Sequence, residues 1–168
     1  MSHLRWNPLL GTYNMVAPNR QHRPHLPTQG CPFCPGSGQV PDDYEVLLYA
    51  NDFPALSPNH PQPAPGPAAF YHTAQAAGHC DVVLYSPDHY KGLAQLPLEH
   101  VLKLVNVWAA RFDELAKDKA VQYIFPFESR GEEVGVTIHH PHGQIYAYPF
   151  IPLKVKTELD NCLNHYQY

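Results

Sequence analysis

Nineteen prolines in 168 residues constrain this chain more than any other feature of its sequence. Proline fixes φ and cannot donate to a sheet ladder, so each one ends a strand, sits on an edge or shapes a loop. Pro54, Pro58, Pro61, Pro63, Pro65 and Pro67 all fall within residues 51–67. That stretch is expected as a surface loop of polyproline character rather than a packed element. Ordered pieces must be short and lie between the breakers. Thr12–Val16, Tyr44–Ala50, Cys80–Ser86, Val121–Phe127, Val134–Ile138 and Gly143–Tyr148 carry β-branched and aromatic residues and read as strands. In the fourth, alternation places Val121, Tyr123, Phe125 and Phe127 on one face.

One long helix stands out. Leu98, Val101, Leu102, Val105, Trp108, Phe112, Leu115 and Ala116 recur at helical spacing behind Pro97. Trp108 and Phe112 fall on its apolar stripe and are expected in the core. A short helix is expected around Glu158–Leu163. Strands, a helix, then more strands imply an α+β domain, an antiparallel sheet with a long helix packed on it.

Hydrophobic residues at 44% suffice for a core, while charged residues at 15% and a net charge of −4 leave no cationic surface. A nucleic-acid coat or a membrane-surface anchor is disfavoured on that balance. No secretory signal is visible in Met1–Met15, and no run approaches the ~20 apolar residues of a membrane span. A cytoplasmic protein with neither nucleic acid nor membrane as partner is expected. No glycine-rich βαβ fingerprint is present, which disfavours dinucleotide- and triphosphate-binding folds.

Chemistry concentrates in twelve histidines and four cysteines. Cys31-Pro-Phe-Cys34 admits a redox dithiol, two silent thiols or half of a zinc site. The redox reading needs a helix starting at the first cysteine, and Pro35-Gly36 prevents one. Two thiolates at this spacing suit one tetrahedral ion, which then needs two more ligands. Cys80, inside a strand, and Cys162 are isolated, so histidines must complete such a site. Candidates are His89, just past a strand, and a member of His139–His142.

His139-His-Pro-His-Gly-Gln-Ile145 carries most of the functional signal. In extended chain His140, His142 and Gln144 share one side and His139 the other. Pro141 stiffens the row, and Gly143 is expected to leave room for an incoming group. A neutral imidazole whose second nitrogen is held as a donor is a nucleophile suited to phosphorus. A glutamine two residues on would donate to a phosphate oxygen as charge develops.

These residues resemble the galactose-1-phosphate uridylyltransferase family of the histidine-triad superfamily. His140-Pro-His-Gly-Gln-Ile-Tyr-Ala147 is similar to its active-site signature, and Cys31-Pro-Phe-Cys34 to its zinc knuckle. Tyr49-Ala-Asn-Asp-Phe-Pro-Ala-Leu56, Tyr85-Ser-Pro-Asp-His89 and Phe127-Glu-Ser-Arg-Gly131 fall in family order, so the likeness runs from Arg20 to Glu158. It implies a half-barrel-like antiparallel sheet of histidine-triad type, with residues 1–168 forming one N-terminal domain. The second copy usual in the family does not follow.

The resemblance implies His142 as the uridylylated nucleophile, with zinc held by Cys31, Cys34, His89 and His140. Gln144 would bond the transferring phosphoryl group, and Arg20 and Arg23 would form a basic pair at the phosphates. Asn51 and Asp52 match uridine or ribose contacts; Gly135 and Thr137 match small residues beside the α-phosphate. Ser129 stands where the signature has asparagine. Glu158 aligns with a carboxylate that binds an iron-type second metal in some members, although its histidine partners are not in this sequence. The implied partners are UDP-glucose and galactose 1-phosphate, in a homodimer or with a C-terminal half. Two other readings remain: a related nucleotidyltransferase or phosphorylase for another nucleotide, and a zinc-stabilised domain without turnover. In the bland reading, Arg20, Arg23, Arg130 and Lys154 are solvated surface charge.

Overall fold

The computed structural model describes residues 1–22, 30–66 and 69–167. It contains two antiparallel sheets and two helices, where a single sheet was expected. In chain order the elements are β1 (His3–Asn7), β2 (Thr12–Val16), β3 (Leu47–Ala50), β4 (Thr73–Gln75), β5 (His79–Leu84), α1 (Leu98–Leu115), β6 (Tyr123–Phe127), β7 (His142–Tyr148) and α2 (Leu153–Tyr166). The smaller sheet runs β2-β1-β4 and the larger β3-β5-β7-β6.

The smaller sheet grows from a hairpin. Asn7 turns the chain by accepting from the amides of Leu9 and Leu10 at 3.1 and 3.2 Å. Gly11 takes the left-handed φ of +62° that closes the turn. Alternation of Leu4 and Trp6 with His3 and Arg5 was a readable strand signal for β1; β4, with three residues, is too short to show one.

The proline-rich stretch is more tightly bound than expected. Ser57 N donates to Ala76 O at 3.0 Å, and Thr73 Oγ1 donates to Ala64 O at 2.7 Å. Ala55 and Leu56 are buried in the core with Leu4, Ala76, Cys80 and Tyr146. Proline removes donors from the segment but leaves its carbonyls to accept, so it straps β4 without entering a ladder. Pro67 lies outside the described residues.

Register in the larger sheet decides what each face carries. Leu84 pairs with His142, Val82 with Gln144 and Cys80 with Tyr146; Phe127 pairs with Gln144 and Phe125 with Tyr146. Opposed residues share a face, so His142, Gln144 and Tyr146 lie with Val82, Leu84, Phe125 and Phe127. Tyr123, Phe125 and Phe127 stack as a ladder at 6.1 and 5.2 Å. Val121, expected on that row, lies before the strand and packs with Ile124 on the helix side. The opposite face presents Val83, Tyr85, Ile145 and Ala147 to Leu104, Leu115 and Trp108 of α1.

Helix α1 matches its expected start, but its apolar stripe is wider than its contact. Leu104 and Leu115 are buried, whereas Phe112 is 48% exposed and not in the core as expected. Helix α2 extends well beyond the expected Glu158–Leu163 and buries no residue. The expected strand at Val134–Ile138 does not form. Gly131 and Gly135 adopt φ of +93° and +79° around a short 3-10 turn at Glu132–Val134, and left-handed residues cannot continue a ladder. Strand β3 starts at Leu47 rather than Tyr44, because Tyr44 turns inward.

Asp81 on β5 and Arg111 on α1 form a buried pair at 2.8 Å, with side chains 11% and 14% exposed. Truncating one member strands the other charge in a place with little water. Asp81→Ala should therefore cost about 3 kcal/mol of stability. A urea titration reads this; a loss under ~1 kcal/mol would mean that Arg111 finds water or leans wholly on Glu114.

Candidate metal centre and active-site cleft

The segment Cys31–Cys34 folds as a turn, with Cys34 N donating to Cys31 O at 3.3 Å and Ser37 N to Cys34 O at 3.1 Å. Gly36 and Gly38, at φ of +81° and +78°, prevent a helix from starting there. The geometry that lowers a redox thiol's pKa is therefore missing. All four cysteines are free thiols.

His89 and His140 meet this turn. Cys34 Sγ lies 3.4 Å from His89 Nδ1 and 3.6 Å from His140 Nδ1, and Cys31 Sγ lies 3.7 Å from His140 Nδ1. All four donor atoms fall within 4.8 Å of one another. Tetrahedral bonds of ~2.3 Å to sulfur and ~2.05 Å to nitrogen place S and N about 3.6 Å apart. The donors therefore have both the chemistry and the spacing to hold one metal ion. Burial first, and then the neighbouring Cys31 thiol, push the Cys34 pKa up to about 11. Burial likewise holds the His140 pKa below its ordinary value. Crowded donors disfavour a second negative thiolate and a cationic imidazole, and a divalent cation at their centre relieves the first.

His140 is fully buried. Its Nε2–H donates to Ser86 O at 2.8 Å, which turns Nδ1 toward the sulfurs. Tyr44 OH donates to Phe33 O at 2.8 Å and also lies 3.2 Å from Ser86 O. This phenol joins the knuckle to the end of β5. His89 sits on the following turn, where Asp88 N donates to Ser86 Oγ at 3.2 Å.

His142 opens β7. Its Nδ1 lies 2.7 Å from His140 O, and a carbonyl can only accept, so Nδ1 carries the hydrogen and Nε2 the lone pair of the neutral ring. A cleft of about 200 Å³ adjoins it, lined by Arg20, Phe127, Ser129, residues 134–137, His142, Gln144 and Tyr146. Arg20 Nη1 donates to Tyr146 OH at 3.0 Å. Six residues singled out from the sequence (Arg20, Ser129, Gly135, Thr137, His142 and Gln144) thus share one wall, although Gly135 and Thr137 stand on a loop and not on the expected strand.

Others are elsewhere. Asn51 Oδ1 accepts from Phe53 N at 2.9 Å, and Asp52 accepts from Tyr49 OH at 2.9 Å; neither lines the cleft. Glu158 is exposed on α2 and joins no group of metal donors among the described residues. Arg23 lies outside the described residues. Gly143 serves the opposite face from the one expected: an added Cβ would stand 2.7 Å from Tyr85 OH. Its bareness makes room for a buried tyrosine under the sheet, not for a ligand above it.

Sequence reasoning passed over Tyr44, Phe33 and Tyr146. Tyr146 could have been found from the alternation that relates His142 to Gln144; the other two carry no local signal.

The arrangement agrees with what the chain is related to. Residues 1–152 match the family model described as galactose-1-phosphate uridyl transferase, N-terminal domain. The chain is 37% identical to a galactose-1-phosphate uridylyltransferase of Thermotoga maritima over 95% of its own length and 50% of that protein. Against the one from Streptomyces lividans the identity is 40%, covering 89% of this chain and 38% of the relative. A solved uridylyltransferase superposes with a TM-score of 0.85 at 32% identity, over 98% of this chain and 51% of the other. An ADP-glucose phosphorylase from Arabidopsis thaliana shares the fold at 23% identity and a TM-score of 0.68. The chain spans about half the length of such relatives, or less. A paired-thiol turn closed by two histidines, beside a third histidine that opens a central strand, is thus found where sequence likeness also leads: this chain belongs to the galactose-1-phosphate uridylyltransferase family.

Proposed function

We propose that this chain is the catalytic N-terminal half of a nucleotidyltransferase that moves UMP from UDP-glucose to galactose 1-phosphate through a covalent uridylyl-His142. The observation that carries this is the 2.7 Å bond from His142 Nδ1 to the His140 carbonyl. It gives Nε2 the lone pair, on the sheet face where Gln144 and Arg20 border the cleft.

Nε2 attacks the α-phosphorus of UDP-glucose. The bond to the bridging oxygen breaks, and glucose 1-phosphate leaves with that electron pair. In the second half, a phosphate oxygen of galactose 1-phosphate attacks the same phosphorus and the P–N bond breaks, restoring the imidazole. Charge builds on the nonbridging oxygens in both steps, and the Gln144 amide and Arg20 guanidinium are the donors for it. Ser129 and the Gly135–Thr137 loop form the small-residue wall beside the phosphoryl group. As His142 gains positive character, the His140 carbonyl dipole steadies it.

Zinc suits the Cys31, Cys34, His89 and His140 set, since two thiolates and two imidazoles match its ligand preference. Bound there, it supplies a rigid cross-link and neutralises the thiolates. His140 is thereby held in place, so the carbonyl that orients His142 does not move. An iron-type second metal at Glu158 would need donors from outside the described residues. Uridine or ribose contacts would use the Asn51 amide N–H groups and the remaining acceptor capacity of the Asp52 carboxylate, and Arg23 would extend the cationic side of the cleft. No helix among the described residues is long and apolar enough to cross a membrane. The whole enzyme is proposed to work in the cytoplasm as a homodimer, or with a separate C-terminal half.

Labelling tests the reaction. Incubation with UDP-glucose labelled at the α-phosphate, with and without a separately expressed C-terminal half, should place acid-labile label on the native chain and none on His142→Gly. Label from ADP-glucose alone would shift the substrate to another nucleotide; equal label on His142→Gly would remove the nucleophile. Metal analysis tests the knuckle. The native chain should hold about one equivalent of zinc, and Cys31→Ser should hold well under half of it, with a lowered Tm. Unchanged zinc in Cys31→Ser would place the ion elsewhere.

A further inference from the structure

Of the two residues between the knuckle cysteines, Pro32 and Phe33, the second reaches the proposed nucleophile. Phe33 is 5% exposed and packs with Val40, Tyr44, Val82 and Leu84 on the His142 face of the sheet. Its ring centroid lies 5.6 Å from that of His142 at 73° between planes. The same ring meets His140 at 6.3 Å and 87°, and Tyr49 at 5.6 Å and 63°. Both histidines are therefore met edge-to-face, the arrangement that aromatic quadrupoles favour.

The backbone of Phe33 has little freedom. It lies inside the turn closed by Cys34 N and Cys31 O, and its own carbonyl accepts from the buried Tyr44 hydroxyl. A side chain on so fixed a stem, walled in by Val82 and Leu84 of β5, cannot swing away without opening the cluster. The His142 ring then has a packed surface along one flank. Turning about χ1 or χ2 to give up the bond to His140 O would also change this edge-to-face packing against Phe33.

We propose that Phe33 is a positioning residue for His142: the knuckle presents its ring as a buttress that holds the imidazole in the rotamer where Nδ1 donates to the His140 carbonyl. This rests on the reading of His142 as the group-accepting residue, but its test does not use turnover. The donor set and the nucleophile are then linked twice, through the His140 backbone and through this ring. A knuckle of the same spacing with a small residue at this position would still bind metal, but would leave His142 looser.

Long-range ¹H–¹⁵N spectra of the zinc-loaded chain read the tautomer of each histidine directly. At a pH where the ring is neutral, His142 should show the Nδ1–H form almost alone. In Phe33→Ala the ratio of the Nε2–H to the Nδ1–H form should rise roughly two- to ten-fold, the factor that removing the packed volume beside the ring allows. Bound zinc should stay near its native level. Phe33→Leu refills most of the space with apolar volume and should restore the native ratio. An unchanged His142 spectrum in Phe33→Ala overturns the proposal. So does a Phe33→Leu chain that keeps its zinc yet shows the Phe33→Ala pattern, because the volume would then not be what holds the ring. If Phe33→Ala loses zinc, Phe33→Leu alone decides: a native tautomer ratio with zinc retained supports the buttress, and loss of zinc there too makes Phe33 a knuckle residue only. Failure of the labelling experiment with these spectra intact would count against the reaction, not against the buttress.

Discussion

His140 is held at both of its ends, and most of the site hangs from it. Burying an imidazole completely is costly unless both nitrogens find partners. Here Nε2 donates to Ser86 O and Nδ1 faces two sulfurs. The backbone end does the other task, its carbonyl accepting from His142 Nδ1. A ring that cannot rotate fixes its own peptide plane within narrow limits. The direction of that carbonyl, and so the tautomer of His142, is set by donors several ångströms from the cleft. Pro141 between the two histidines narrows the freedom of this short bridge further.

Strand β7 reconciles two environments through its period of two. His142, Gln144 and Tyr146 look toward the cleft, while Gly143, Ile145 and Ala147 look toward α1. The helix side accepts only small or apolar residues, and Gly143 goes furthest, giving Tyr85 room to reach Glu128 Oε2 at 3.2 Å. That bond restrains the residue before Ser129, so a contact under the sheet also helps to place part of the cleft wall. The buried Asp81–Arg111 pair holds α1 on the same underside.

Much of this was legible in the sequence because it depends on local pattern. Helix α1, strands β2 and β7 and the paired thiols each follow from spacing or alternation within a few residues. The four metal donors came from the family resemblance, the residues alone having left the histidines open. What escaped depends on distance in the chain. Tyr44 bonds Phe33 O, eleven residues away, and Ser86 O, forty-two away, and nothing near Tyr44 announces it. The loop at 131–138 misled because Val134, Val136 and Ile138 alternate like a strand while Gly131 and Gly135 impose left-handed backbone. The proline-rich stretch misled in the opposite sense, since its prolines hid a segment that bonds to Ala76 O and Thr73 Oγ1 and buries Ala55 and Leu56.

Cleft size bears on how such a domain would handle two substrates. About 200 Å³ falls below the ~300–1,000 Å³ of pockets that enclose a whole small ligand. It suits a phosphoryl group with part of its ester, which is the element a donor and an acceptor share in a double displacement. In the proposed reaction Arg20 and Gln144 would meet that common element, and neither would tell one sugar from another. Discrimination between sugars, and between bases, would then rest on contacts outside this cleft. A strand that positions only the phosphorus is the part of such an enzyme least sensitive to the identity of what is carried.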